Sequence, residues 1–313
     1  KAKNQNKIYS TQPKRNKCKI CNHLLPISID FSSHKVNYIF CSNCNHLNGI
    51  YDDTKSFVKK IYMSEGGSEY SQNYLDENFN QRTNDIYLPK LDFLISSLPK
   101  KKIRILDVGC GSGYFVHASL LKKISARGID VNETMINYGN KNIYHHLKQS
   151  PLKTVSENSL FKEIKNSNDD VISAIGVIEH LREPKKFFEA FKSSRVKYLY
   201  YSVPMFSLTV ILEIIFKNVF PRQLSGAHTH LFTENSISKL NELIAVKPIA
   251  EWRFGTDVMD LYRNLLVSIK SKKVSGIMIN YLNNSLGKKI DDIQSILDIN
   301  HSCSEIHLIA EKI

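Results

Sequence analysis

The sequence predicts an α/β fold, a largely parallel sheet with helices on its faces, preceded by a small module of its own. Three observations carry that prediction. Ile103 to Asp107 is a short apolar run ending on a carboxylate, and glycine then recurs at every second position, Gly109, Gly111 and Gly113, ahead of an apolar stretch from Tyr114 to about Lys123. This is strand, tight turn and helix, with glycine where the backbone must turn sharply and let a ligand come close. A second run, Ala126-Arg-Gly-Ile-Asp130, repeats the strand-then-acid pattern 23 residues beyond Asp107. Ahead of both, Cys18-x2-Cys21 and Cys41-x2-Cys44 are separated by nineteen residues.

The chain has 313 residues, enough for one large domain and a smaller one, and 42% of them are hydrophobic, as in a globular protein. It contains no apolar run of eighteen residues, so no transmembrane segment is expected. The first nineteen residues are basic and polar without an apolar core, so no secretory leader is expected and a cytoplasmic setting is. Net charge is +13, which invites a nucleic-acid partner, yet the basic residues are scattered apart from the first nineteen and Lys100 to Lys102.

Residues 1–17 read as a loosely attached basic arm and 18–61 as a metal module. Two C-x2-C pairs at this distance suit four thiolates around one zinc, each pair supplying two tetrahedral ligands. Two disulfides are the competing pairing, and a reducing compartment favours zinc. His23 and His46 sit beside the pairs and could replace a cysteine, although four thiolates suffice. A filled shell leaves no water site, so the zinc is expected to be structural. The stretch 62–83 is a polar, tyrosine-rich linker or lid, with Tyr70 and Tyr74 four apart. Residues 84–98 pattern as an amphipathic helix that ends before Pro99.

After the glycine turn, Asp130 stands where an acid can accept both hydroxyls of a bound ribose, and Asn132 is placed to cap a helix over 132–140. Leu152 to Ser156 is the next strand, which makes Glu157 and Asn158 candidates to touch a base. Val171 to Ile175 is a buried strand, and Gly176 to Leu181 is the loop at its carboxyl end, where α/β folds place ligands. A helix over 185–193 and a strand over 196–203 follow, ending at Pro204. Ser207 to Phe220 is a very apolar helix interrupted by Glu213 and Lys217; it suits core, a dimer face or an interfacial patch. Next, His228 and His230 lie two apart on an extended segment and point the same way. They suit structural roles, a metal or an acceptor site. Helix 234–244, strand 250–254, a lysine-rich helical insertion over 257–300 and a last strand over 305–311 complete the chain.

The run Asp107-x-Gly-x-Gly-x-Gly113 differs from the dinucleotide fingerprint G-x-G-x-x-G and resembles motif I of the class I S-adenosylmethionine-dependent methyltransferases. Val177 to Pro184 resembles the segment after strand four in the group that includes the ubiquinone O-methyltransferases and many sugar methyltransferases. A four-cysteine module ahead of such a domain resembles sugar methyltransferases that act on nucleotide-linked sugars or glycans. The resemblance implies a Rossmann-like seven-stranded methyltransferase sheet over 84–313, with 205–233 as an acceptor-side insertion. S-adenosylmethionine is then the cofactor, Asp107, Gly109, Gly111 and Gly113 hold its methionine end, and Asp130 holds its ribose. Glu157, Asn158 and Ile175 are the remaining cofactor candidates. A histidine base is expected for a hydroxylated small-molecule or glycan acceptor, with His228 and His230 first and His180 third. Several such sugar enzymes carry a further C-terminal domain, so C- and O-methylation both stay open. The alternative is a ribosomal RNA methyltransferase that binds RNA through the zinc module and basic arm. It lacks the N/D-P-P-Y motif, whose place is taken by Ser202-Val-Pro204-Met.

Overall fold

A computed structural model describes residues 2–63, 78–100, 102–224, 228–272 and 274–313. They form two compact units, one of 1–53, 203–239 and 252–306, the other of 54–202, 240–251 and 307–313.

The first unit is built around the cysteines. Strands β1 (Phe31–Ser33) and β2 (Val36–Phe40) form a hairpin. Its turn residues His34 and Lys35 both have positive φ, +46° and +70°, the backbone twist that two-residue hairpins favour. β2 runs directly into Cys41 and pairs with β3 (Leu47–Gly49). The far edge is β9 (His230–Leu231), with Leu47 opposite Leu231 and Asn48 opposite His230. The expected boundaries are corrected here. Residues 230–231 were expected in an acceptor-side insertion of the large domain, yet they complete the sheet of the cysteine module. The expected loose arm is also corrected. Residues 2–9 form a helix, Tyr9 is 1% exposed, and its hydroxyl donates to the Tyr51 carbonyl at 2.6 Å. Lys19, the last of the basic first nineteen residues, is buried in an ion pair with Asp53. In the rest of this unit, helix Leu208–Ile215 packs on helix Asp257–Ser271, which also packs on helix Ile290–Ile299.

The second unit holds most of a seven-stranded sheet. Its order is β10-β11-β8-β7-β4-β5-β6, with β4 Arg104–Val108, β5 Ser125–Asp130, β6 Leu152–Thr154, β7 Val171–Ile175, β8 Tyr198–Pro204, β10 Val246–Phe254 and β11 Glu305–Lys312. β6, β5, β4, β7 and β8 are parallel neighbours. β11 runs against β8, because Lys312 N–H meets the Lys197 carbonyl while Met205 N–H meets the Ser304 carbonyl, both at 2.9 Å. Apart from Asp107, Ser173 and the exposed Arg104 at the start of β4, the two central strands are apolar, as expected for strands covered on both faces. Leu91, Leu94, Ile105, Phe115, Val171 and Tyr200 form the core beside them. Helix Leu88–Ser97 stops before Pro99 as its sequence predicts. Residues 64–77, with Tyr70 and Tyr74 of the expected lid, lie outside the described residues. Among the described residues no helix is long and apolar enough to cross a membrane.

Candidate cofactor and metal sites

The glycine turn joins β4 to helix Tyr114–Leu121. Gly109, Gly111 and Gly113 have φ of +70°, +54° and +86°, so the alternate glycines are needed for their left-handed backbone. Close approach adds a second reason at two of them. A Cβ on Gly109 would lie 2.5 Å from Val177 Cγ2, and one on Gly113 would lie 2.8 Å from the Tyr144 hydroxyl. At Gly111 a Cβ would meet nothing nearer than Met135 Cε at 3.4 Å, so this face of the turn is the open one.

Asp130 ends β5 and holds the turn. One carboxylate oxygen accepts the Gly111 N–H at 2.8 Å and the other the Asn132 N–H at 2.7 Å. Burial raises its pKa, opposed by those backbone bonds. Asp107 is only 4% exposed and accepts a 2.7 Å hydrogen bond from the Ser173 hydroxyl, its partner across β4 and β7. Burial pushes its carboxyl up to about 7, and the Asp130 charge pushes the same way. A buried carboxylate poised near neutrality is suited to a cationic ligand, whose charge favours the ionised form. Ile175 ends β7 beside the core cluster, and Gly176 follows with φ +66°. Asp107, Asp130 and Ile175 thus stand at the carboxyl ends of adjacent strands β5, β4 and β7, where open α/β sheets bind ligands. Glu157 and Asn158 open the helix after β6, and the Glu157 carboxylate accepts the Arg182 Nε–H at 3.2 Å.

The four sulfurs of Cys18, Cys21, Cys41 and Cys44 all lie within 4.8 Å of one another. Cys18 and Cys44 Sγ are 3.7 Å apart, and Cys21 and Cys41 Sγ 3.5 Å. Sulfurs around a tetrahedral zinc, at about 2.3 Å from the metal, stand about 3.8 Å apart. The two halves share one geometry and one hidden repeat, C-x2-C-N-H. In each, the first cysteine N–H donates to the histidine carbonyl five residues on, His23 or His46, at 2.9 Å. The asparagines between, Asn22 and Asn45, take φ of +60° and +54°, which asparagine tolerates better than most side chains. The hydrogen bond from Cys44 holds Cys18 down at about 5 while the Cys44 thiol is raised. Four crowded thiols compete for protons in this way, and a divalent cation removes the competition.

The two histidines of the 228–230 segment have separate surroundings. His228 Nδ1 is 3.0 Å from the Gln223 carbonyl. A carbonyl only accepts, so Nδ1 carries the proton and Nε2 the lone pair. Burial lowers the His228 pKa to about 4. The loop that presents Gln223 is held by Glu213, whose carboxylate accepts the N–H groups of Arg222, Gln223 and Leu224 at 2.5, 2.6 and 2.8 Å. His230 is wholly buried. The Ser236 hydroxyl donates to the Thr233 carbonyl, and His46 Nδ1 stands 3.3 Å from that hydroxyl oxygen. His46 Nε2 in turn lies 2.8 Å from His230 Nδ1. His230 is thus enclosed on β9 against His46, in surroundings different from those of His228. His180 ends a short helical turn after β7, 3.9 Å from a Glu179 carboxylate oxygen. Ser173, Glu213 and Gln223 escaped the sequence reading. Ser173 left a trace as a hydroxyl inside the apolar strand 171–175, and Glu213 as a charge inside an apolar helix, but neither was given a role.

Residues 106–195 match the family model of a methyltransferase domain. No curated protein matches the chain. Its fold is similar to magnesium protoporphyrin IX methyltransferase of Synechocystis PCC 6803 with bound SAH, at 14% identity and a TM-score of 0.52, covering 83% of this chain and all of that one. It is also similar to phosphoethanolamine N-methyltransferase 2 of Haemonchus contortus in complex with S-adenosyl-L-methionine, at 14% identity and a TM-score of 0.51, covering 85% of this chain and 62% of that one. Domain match, sheet order and glycine cradle define the class. The chain is an S-adenosylmethionine-dependent methyltransferase with a class I, Rossmann-like α/β sheet.

Proposed function

We propose that the enzyme methylates a hydroxyl of a sugar, nucleotide-sugar or glycan-type acceptor, with His228 as the base and a structural zinc in the four-cysteine module. The observation that carries the reading is the tautomer of His228. Its Nδ1–H is committed to the Gln223 carbonyl, and its low pKa keeps the ring neutral at pH 7. Nε2 then carries the lone pair of the ring, the group that would take a hydroxyl proton. The resemblance of the cysteine module to that of sugar methyltransferases supports the acceptor class, and the sulfur spacing supports zinc.

S-adenosylmethionine, when bound, supplies a methyl group on a positively charged sulfur. Asp107 offers an anion toward the methionine end, and the glycine turn offers close backbone approach. Asp130 keeps the turn in shape through Gly111 and Asn132 and faces the ribose. His228 would take the proton of the acceptor hydroxyl, and the cofactor would supply the methyl group to the acceptor oxygen. Alignment of the two reactants supplies much of the barrier reduction, and a positioned base adds a factor of about 10²–10⁴. His180 stands next as base.

The test is transfer of a labelled methyl group to a pool of nucleotide sugars and glycan precursors, set beside transfer to total RNA. Label in the sugar pool, with turnover lost in His228→Gln at unchanged cofactor affinity, supports the reading. Label in RNA alone, with affinity falling steeply as salt rises, overturns it in favour of nucleic-acid modification. Full turnover in His228→Gln removes this base and makes His180→Gln the next variant.

A further inference from the structure

The helical insertion carries a surface that catalysis does not use. Helix Gly276–Ser285 has no charged residue and no buried one. Its inner side, Ile279, Leu282 and Asn283, is half-buried, and the Tyr262 hydroxyl ties it down by donating to Asn283 Oδ1 at 2.6 Å. Its outer side presents Ile277, Met278 and Tyr281 at 79%, 51% and 74% exposure. Single exposed apolar side chains are ordinary. Three of them on one short uncharged helix form a patch that water disfavours.

The charges around the patch identify what covers it. From Leu261 to Ile290 the sequence has no aspartate or glutamate and six basic residues. Lys270 and Lys272 stand exposed before the helix, and Lys288 and Lys289 after it. An apolar, uncharged helix bracketed by lysines matches an anionic lipid surface: side chains enter the headgroup boundary and ammonium groups meet the lipid charges. Tyrosine suits that boundary, with an apolar ring and a wet hydroxyl. A second copy of the chain fits less well, since a two-fold contact through the patch brings like charges together. A nucleic acid fits less well too, since of the three exposed side chains of the helix only Tyr281 offers a ring on which a base could stack. The neighbouring helix Ile290–Ile299 also exposes Ile296 and Ile299, but it carries Asp291, Asp292 and Asp298, which an anionic surface repels. We infer that helix Gly276–Ser285 docks the enzyme flat onto an anionic membrane surface.

Flotation of the full chain with vesicles tests this. One set is phosphatidylcholine alone and the other phosphatidylcholine with phosphatidylserine. Binding to the second set only, weakening as salt rises, is the expected result. Lys288→Gln with Lys289→Gln is expected to lower partition about 30-fold, from the ~1 kcal/mol that each basic residue contributes near an anionic surface. Ile277→Ser with Tyr281→Ser is expected to abolish flotation. Calorimetric affinity for S-adenosylmethionine, unchanged in both variants, shows that they fold. Three results overturn the inference: no flotation with phosphatidylserine vesicles, flotation that neither double variant alters, or no flotation together with a dimer in light scattering that Ile277→Ser with Tyr281→Ser dissolves.

Discussion

At the scale of single residues, Asp107 has the clearest measurable consequence. Its ordinary pKa of 3.8 is raised to about 7 by burial. Only the ionised carboxylate attracts a cationic ligand, and below about 7 the group takes up a proton. Affinity for S-adenosylmethionine is therefore expected to fall as pH drops through about 7, by at most about tenfold per pH unit. Calorimetry at about pH 6 and about pH 8 measures it, and Asp107→Asn should bind weakly at both with the pH dependence gone. In the free enzyme the sign is opposite. The folded state binds the extra proton between 3.8 and about 7, so this group's contribution to stability declines as pH rises across that window. Asp130 needs a subtler comparison, because its two oxygens hold the turn and are also the proposed acceptors for the ribose. Asp130→Asn keeps one acceptor for the Gly111 N–H, whereas Asp130→Ala keeps none. The alanine variant should lose more affinity, and equal affinities would show that the carboxylate does not brace the turn.

At the scale of elements, the glycine turn and the loop before His228 respond to change for different reasons. Gly109→Ala forces φ of +70° on a residue with a Cβ and drives that carbon against Val177. Left-handed backbone alone costs about 1–2 kcal/mol, and the clash adds to it, so a loss above about 2 kcal/mol is expected in urea denaturation. Glu213→Gln acts further from the cofactor. The neutral amide has one oxygen for the three N–H groups that the carboxylate now accepts, so the Gln223 carbonyl loses its support. Turnover should fall while cofactor affinity stays, and an unchanged rate would separate this loop from the chemistry. The two elements also mark the limit of what the sequence shows. Strand, glycine turn and helix were legible because local apolar pattern and glycine spacing suffice to write them. Asn132 was legible as a cap, and its side chain does accept the Met135 N–H at 3.2 Å. β9 was not legible, since a two-residue strand is defined by its partner, and that partner lies some 180 residues away, as Asn48 to His230 shows. The same fact hid the surroundings of His230. Alternation placed it beside His228, while pairing with β3 buried it against His46.

At the scale of the whole molecule, two compact units are interleaved along one chain, and the first is assembled from three separated segments. Its four-stranded sheet is small, and its hairpin, both cysteine knuckles and β9 converge where the sulfurs lie. The strands of this sheet are only two to five residues long, and a metal held by both knuckles would add stability to so short a sheet. Stripping zinc with a chelator is therefore expected to do more than remove an ion. Cys41 and Cys44 bracket the turn into β3, and β3 alone links β9 to the rest of the sheet. Without the metal, four thiols crowded within 4.8 Å must take up protons or separate. The purified chain should hold about one zinc, as a filled four-thiolate site requires. Trp252 is the single tryptophan and belongs to the first unit, so its fluorescence reports on that unit during thermal unfolding. Chelation should lower the midpoint seen by Trp252 by several degrees, since a shift of about 1 kcal/mol moves a domain of this size by about 2–4 °C. Restored zinc should restore the midpoint, and Cys41→Ser should reproduce the chelated state and resist rescue. A midpoint indifferent to chelation and to Cys41→Ser would show that the knuckles hold together through backbone hydrogen bonds alone, and would withdraw the metal from the fold.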